Sequence, residues 1–289
     1  MAIQSDRWGV SDVSTMVSRR ATLALMFAMA LAGAVGLVAW GPVQLASHMH
    51  HFADQRTWGT LPHAVNVLSH LPLIPVGLWG LWRVSRLPKS EPLRWIWFWF
   101  FICQMLATLG GMVYHWAPSD ASFIWDQVPK SAASTLFALA FLAERVDRRM
   151  GLTPAIAAGL IAALSGGIWW LYSANVSQVG DLRPLMWLEM LPALLVASGG
   201  WTLDGHLLSR SDWLRSQISF VLAQALDWAD RWVFLSTQEW VSGHSLRHIA
   251  LAACCGWVAY RLGATQPATA SQAAQAHPAG LDSEWAGVR

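Results

Sequence analysis

Eight apolar runs, most of them close to twenty residues long, recur along this chain at about 21–41, 62–82, 95–116, 127–143, 154–172, 184–202, 214–235 and 243–262. A twenty-residue helix rises about 30 Å, the thickness of a bilayer's hydrocarbon core. A chain in that medium must satisfy its own backbone polar groups, so such runs fold as helices. Charged residues make up 12% of the sequence and hydrophobic ones 55%; a soluble domain carries about twice that charged fraction. Many tryptophans stand at run ends, Trp82, Trp95, Trp116, Trp125 and Trp187 among them, where aromatic rings settle at a bilayer interface. The fold class expected is therefore an all-α integral membrane protein.

Basic residues fix the orientation. Arg19 and Arg20 precede the first run, Arg83 and Arg86 follow the second, Arg148 and Arg149 follow the fourth, and Arg210 and Arg215 follow the sixth. Alternate loops hold few, so the positive-inside rule places both termini in the cytoplasm. Removing any run would break the alternation. The seventh is the weakest, with Asp227, Asp230 and Arg231 near its end. It reads either as a span facing the interior or as an interfacial helix. The first run reads as an uncleaved anchor behind a cytoplasmic lead, 1–20; a cleaved signal is the alternative and leaves seven spans. Residues 263–289, rich in Ala, Gln, Pro and Ser, read as a disordered tail. Basic residues follow topology, so no nucleic-acid surface is expected. Cys103, Cys254 and Cys255 lie inside apolar runs and read as packing residues, not as a disulfide or thiolate metal site.

Chemistry concentrates at the outer ends of the runs. His244 and His248 are four apart, which puts both imidazoles on one face of a helix, a spacing that can hold one metal ion. The same topology places His115 and Asp126 on that side. Ionisable groups are costly in a bilayer, so a shared site is favoured over scattered ones. Eleven residues separate His115 from Asp126, enough for the chain to reverse. Asp126 is expected to open the fourth helix, with Pro129 in its first turn; the alternative role for Asp126 is a helix cap or first-turn acid. Ser69 lies near the same face, where its hydroxyl could serve the site or its own helix backbone. His63 and His70 read as polar interior residues, not ligands. The loop HMHHFADQR, 48–56, holds His48, His50 and His51 and is expected to pack over the mouth of the cavity. A b-type haem is disfavoured, because His244 and His248 on one helix face cannot clamp opposite sides of a porphyrin.

The stretches HHFADQR, NVLSHLP, GGMVYHWAP with WDQVP, GDLRP and SGHSLRH run in order over residues 48–262. Together they resemble the alkaline ceramidase family, whose wider superfamily of seven-helix membrane hydrolases includes adiponectin-receptor-like proteins. The resemblance implies a seven-helix transmembrane bundle over 42–262, with 21–41 an extra N-terminal transmembrane helix. It implies Zn2+ held by His115, His244 and His248, with Asp126 beside the zinc-bound water as a catalytic group; Ser69 is the second catalytic candidate, from its place near the same face. The activity implied is hydrolysis of the N-acyl amide bond of ceramide or a related N-acyl lipid, in a bacterial inner membrane with the zinc site towards the periplasm. A non-catalytic zinc protein that binds or senses lipid is the alternative. Four positions depart from the family pattern. Gly111 stands where the family has serine, His70 where it has asparagine, and Gln127 and Lys130 stand in WDQVPK where other residues are expected.

Overall fold

The computed structural model describes residues 8–45, 50–176 and 180–264, with residues 8–17 given by backbone alone. The start of the expected lead, His48 and nearly all of the expected tail lie outside the described residues. The elements are α1 (Trp8–Trp40), α2 (Ala64–Leu68), α3 (Leu73–Ser85), α4 (Arg94–Trp116), α5 (Asp120–Arg145), α6 (Thr153–Val176), α7 (Arg183–Gly199), α8 (Arg210–Trp228), α9 (Asp230–Ser236) and α10 (Gly243–Ala264), with a 3-10 turn at Arg148–Gly151. Among the described residues there is no strand, only an isolated bridge between Trp58 and Leu61.

Four stretches are long and apolar enough to cross a membrane: Ser18–Trp40, Ala64–Ser85, Arg94–Trp116 and Thr153–Val176. They are compatible with a multi-pass membrane protein. The other long helices fall short of that standard for visible reasons. α7 has 17 residues, and α5 carries Asp120, Asp126, Lys130, Glu144 and Arg145.

Helices α3, α4, α5, α7, α8 and α10 each pack on the next, and α10 returns to α3. α6 leans on α5 and α7 from outside, and α1 packs on α7. α1 leaves Leu25, Phe27, Leu31, Val35 and Val38 exposed. Its contact with α7 is made where Gly33 meets the Trp187 ring, and just past the end of α7 the Thr22 and Thr202 hydroxyls pair at 2.9 Å. One end of the ring is filled by an aromatic core in which Trp213 packs on Phe137 (4.9 Å between centroids), Phe141 (5.1 Å) and Trp97 (6.1 Å). From Trp97 to His115 along α4 is about 27 Å at 1.5 Å per residue, so the core and the histidines occupy opposite ends.

Two expected runs are broken helices. Pro72 and Pro75 lack the N–H that would reach the carbonyls of Leu68 and Leu71. Those carbonyls accept instead from Leu71 N–H (3.0 Å) and Ile74 N–H (3.1 Å), tightened bonds that separate α2 from α3. The seventh run is likewise split at Ala229, between α8 and α9.

The start of the fourth run differs from expectation. α5 begins at Asp120, seven residues before the apolar run, because Ser119 and Ser122 form a capping box that satisfies the first orphan N–H groups. Asp120 is therefore the first-turn acid, and Asp126 and Pro129 lie inside the helix. Pro129 withholds the donor that Trp125 carbonyl would receive. Against that carbonyl sits Gly110, where an added Cβ would collide with Trp125 O. The glycine lets α4 and α5 approach backbone to backbone at this level, just below the site.

Candidate metal centre

Four histidines from three places in the fold meet at one end of the ring. His115 comes from the last turn of α4, His244 and His248 from the first turns of α10, and His70 from the turn between α2 and α3. Imidazole centroids are 3.7 Å apart for His70 and His248, 4.8 Å for His115 and His244, 4.8 Å for His244 and His248, and 5.1 Å for His70 and His115. His70, His115 and His248 are all buried, and their candidate ligand atoms lie within 4.8 Å of one another. These three lie close enough to hold a metal ion.

Three of the four rings are held through Nδ1. His244 Nδ1 donates to Asp227 Oδ1 at 2.6 Å. His70 Nδ1 donates to the Asn66 carbonyl at 3.0 Å. Ser69 gives its own proton to that carbonyl at 2.8 Å and so accepts from His248 Nδ1, also at 2.8 Å. Each arrangement leaves Nε2 with a bare lone pair, the pattern in which metal-binding histidines donate their other N–H to a carboxylate, carbonyl or hydroxyl. His115 Nδ1 is buried with no partner, while its Nε2 faces His244 Nε2 at 3.1 Å. Two nitrogens bound to one tetrahedral zinc are about 3.3 Å apart. With the His115 proton on Nδ1, a cation between the rings would satisfy both Nε2 lone pairs, so the residues present fit a metal.

The surroundings were only partly foreseen. Asp227 and Asp230 come from the broken seventh run. Asp227 also pairs with Arg247 at 3.2 Å, and Asp230 accepts from the backbone N–H of His244 (2.7 Å) and of Ala53 (2.9 Å). Asn66 is fully buried and joins three segments, receiving Ser245 Oγ at 2.9 Å and donating to the Asp54 carbonyl at 3.0 Å. The loop over the site is Phe52, whose ring lies 4.4 Å from that of His115 and 5.3 Å from that of His244. His50 pairs with Tyr114 Oη (3.1 Å) and Asp120 (2.9 Å), and His51 lines the cavity. His63 stays outside the cluster, donating from Nδ1 to the His115 carbonyl at 2.8 Å.

His70, expected as a polar interior residue and not a ligand, is buried and faces the cluster. On an unbroken helix Ser69 and His70 would point about 100° apart; the proline break turns both towards His248. Gly111 provides the room. A Cβ there would overlap His70 Nε2, and Asp126 Oδ1 lies 3.2 Å from the same point. Asp126 is steadied by Lys130 Nζ at 3.6 Å, which also reaches Glu189 at 3.8 Å. Glu189 accepts from Gln127 and from Ser131 Oγ. Ser69 is engaged with His248 and Asn66.

The histidines, Asp126 and Lys130 border one cavity of about 980 Å3, whose deeper wall includes Phe100, Leu73, Phe137 and Leu251. A polar end with convergent titratable groups and a long apolar depth suits an amphipathic ligand.

No protein-family model matches this sequence, and comparison with curated proteins and with solved structures likewise gives no match. The functional reading therefore rests on the residues themselves.

Proposed function

We propose that this chain is a multi-pass membrane amidase of alkaline ceramidase type, dependent on zinc, that cleaves the N-acyl bond of ceramide or a related N-acyl lipid. The observation that carries the reading is the convergence of imidazole Nε2 atoms beside Asp126, at the polar end of an apolar cavity. In this reading eight spans cross a bacterial inner membrane, seven forming the hydrolase core, with both termini cytoplasmic and the histidines towards the periplasm. The loop arginines support that orientation.

His115, His244 and His248 would hold a zinc ion, which would supply a Lewis acid and bring the pKa of water down to about 7. The chain's own groups do the rest. Asp126 accepts the proton of the attacking water and returns it to the leaving amine. Lys130, 3.6 Å away, holds that carboxylate in place. Asp227 and Ser69 hold His244 and His248 in the Nε2-facing tautomer. The apolar depth of the cavity takes the acyl chain and excludes water from the amide. Tyr114, whose hydroxyl meets His50 at 3.1 Å, borders the same cavity and is placed to polarise the carbonyl.

One observation favours a second reading, a zinc protein that binds or senses lipid without cleaving it. The space at Gly111 is taken by an imidazole, not by a hydroxyl able to donate to a reacting carbonyl. Incubating zinc-loaded protein with ceramide and measuring released fatty acid separates the two. The amidase reading expects release, reduced by about 10²–10⁴ in Asp126→Asn. Stoichiometric zinc with no release from any N-acyl lipid supports the binding protein.

A further inference from the structure

We infer that His70 is a fourth nitrogen ligand, so that this chain holds its metal with four imidazoles, from His70, His115, His244 and His248. The inference rests on the metal-centre reading above and concerns its coordination.

Three observations converge on it. First, His70 is buried and stacked 3.7 Å from His248. With His115 and His248 it forms the compact buried trio whose ligand atoms lie within 4.8 Å. Second, its tautomer is fixed. Nδ1 faces the Asn66 carbonyl at 3.0 Å, and a carbonyl only accepts, so the ring proton sits on Nδ1 and Nε2 carries a lone pair. Such a nitrogen binds a cation and cannot donate a hydrogen bond to a developing oxyanion. Third, the space for Nε2 is made by the missing side chain at Gly111, since any Cβ there would overlap it. The proline break at 69–72 aims the ring into that space.

An all-imidazole set has consequences. Four neutral nitrogens leave the full charge of a divalent ion to be balanced from outside the ligand shell. Asp126, close to the Gly111 gap, and Asp227, bonded to His244, are acids placed to do it. The donor set suits zinc, copper, nickel or cobalt and disfavours magnesium or calcium. Four-coordinate structural zinc is closed, whereas catalytic zinc keeps a position open. Hydrolysis at this centre would then require a fifth ligand or the departure of His70.

The test uses the purified full-length chain in detergent, loaded with Zn2+, with X-ray absorption to count imidazole ligands and chelator competition to measure affinity. Four imidazoles are expected in the wild type and three in His70→Asn. The affinity loss should exceed the ~10–100-fold that removal of an outer-shell partner costs. Gly111→Ser should displace the His70 ring and give the same three-imidazole spectrum. Combining His70→Asn with Gly111→Ser should weaken binding no further than either change alone, because both remove one contact. Three imidazoles in the wild type, or wild-type affinity in His70→Asn, would overturn the inference. If His70→Asn does not fold, the wild-type ligand count alone decides. A folded wild type that takes up no zinc defeats the metal reading as a whole. Four imidazoles without fatty-acid release leave the fourth ligand standing and sink only the amidase.

Discussion

At the scale of single residues, the site is organised by what each imidazole does with its second nitrogen. Asp227→Asn keeps the shape of the group but no longer demands a proton from His244 Nδ1, now held at 2.6 Å. Metal affinity is expected to fall about 10–100-fold with the helical content unchanged, as read by chelator competition and circular dichroism. Ser69→Ala should act in the same direction through His248, and fatty-acid release should fall with metal occupancy and not independently of it. The spacing of His244 and His248 and the His115–Asp126 interval were legible in the sequence, because helix periodicity and one short turn are enough to bring those groups to one end. His70, Asp227 and Asn66 were not. Their roles depend on two interruptions, at 69–72 and at Ala229, where local geometry leaves the helical pattern. The two prolines after His70 were the available signal for the first.

At the scale of elements, the packing of α4 on α5 sets the level of the centre. Gly110→Ala would drive a Cβ into the Trp125 carbonyl and force the helices apart. A loss of about 1–3 kcal/mol or more is expected from such overpacking, seen as a lower unfolding temperature in detergent. The loop before α7 offers a pH test. Burial alone would raise the Asp181 carboxyl, but the Arg183 side chain, the Trp169 indole N–H and the backbone N–H groups of Arg183 and Val43 outweigh it and bring it down to about 2. Its unfolded value is about 3.9. The stability it contributes is therefore complete above that pH and is lost as pH falls towards about 2. Protease accessibility of the 41–45 segment, whose Val43 N–H meets Asp181 at 3.3 Å, should rise over that acid window, and Asp181→Asn should remove the dependence. The start of α5 shows why boundaries were harder to read than elements. A polar capping box at Ser119 and Ser122 extends a helix seven residues beyond its apolar run, and hydrophobicity does not register such an extension.

At the scale of the whole molecule, apolar run length identified a membrane-compatible helical chain, and four stretches meet that standard outright. The remaining helices carry the charges that line the cavity, so the features that make the site also weaken the signal of a span. Labelling single cysteines placed at each loop of a cysteine-free variant is expected to show both termini on the cytoplasmic side and the 50–56 loop on the other. A bound metal stabilises the folded state by mass action, about 2.7 kcal/mol at a hundredfold excess over its dissociation constant. Chelation should therefore lower the unfolding temperature by roughly 5–10 °C. Whether the histidine cluster holds a metal is read by elemental analysis of the purified chain. About one zinc per chain, lost in His115→Ala and His248→Ala while both variants remain helical, is the expected result. Folded wild-type protein that holds no metal after incubation with Zn2+, or variants that retain it in full, would contradict the account.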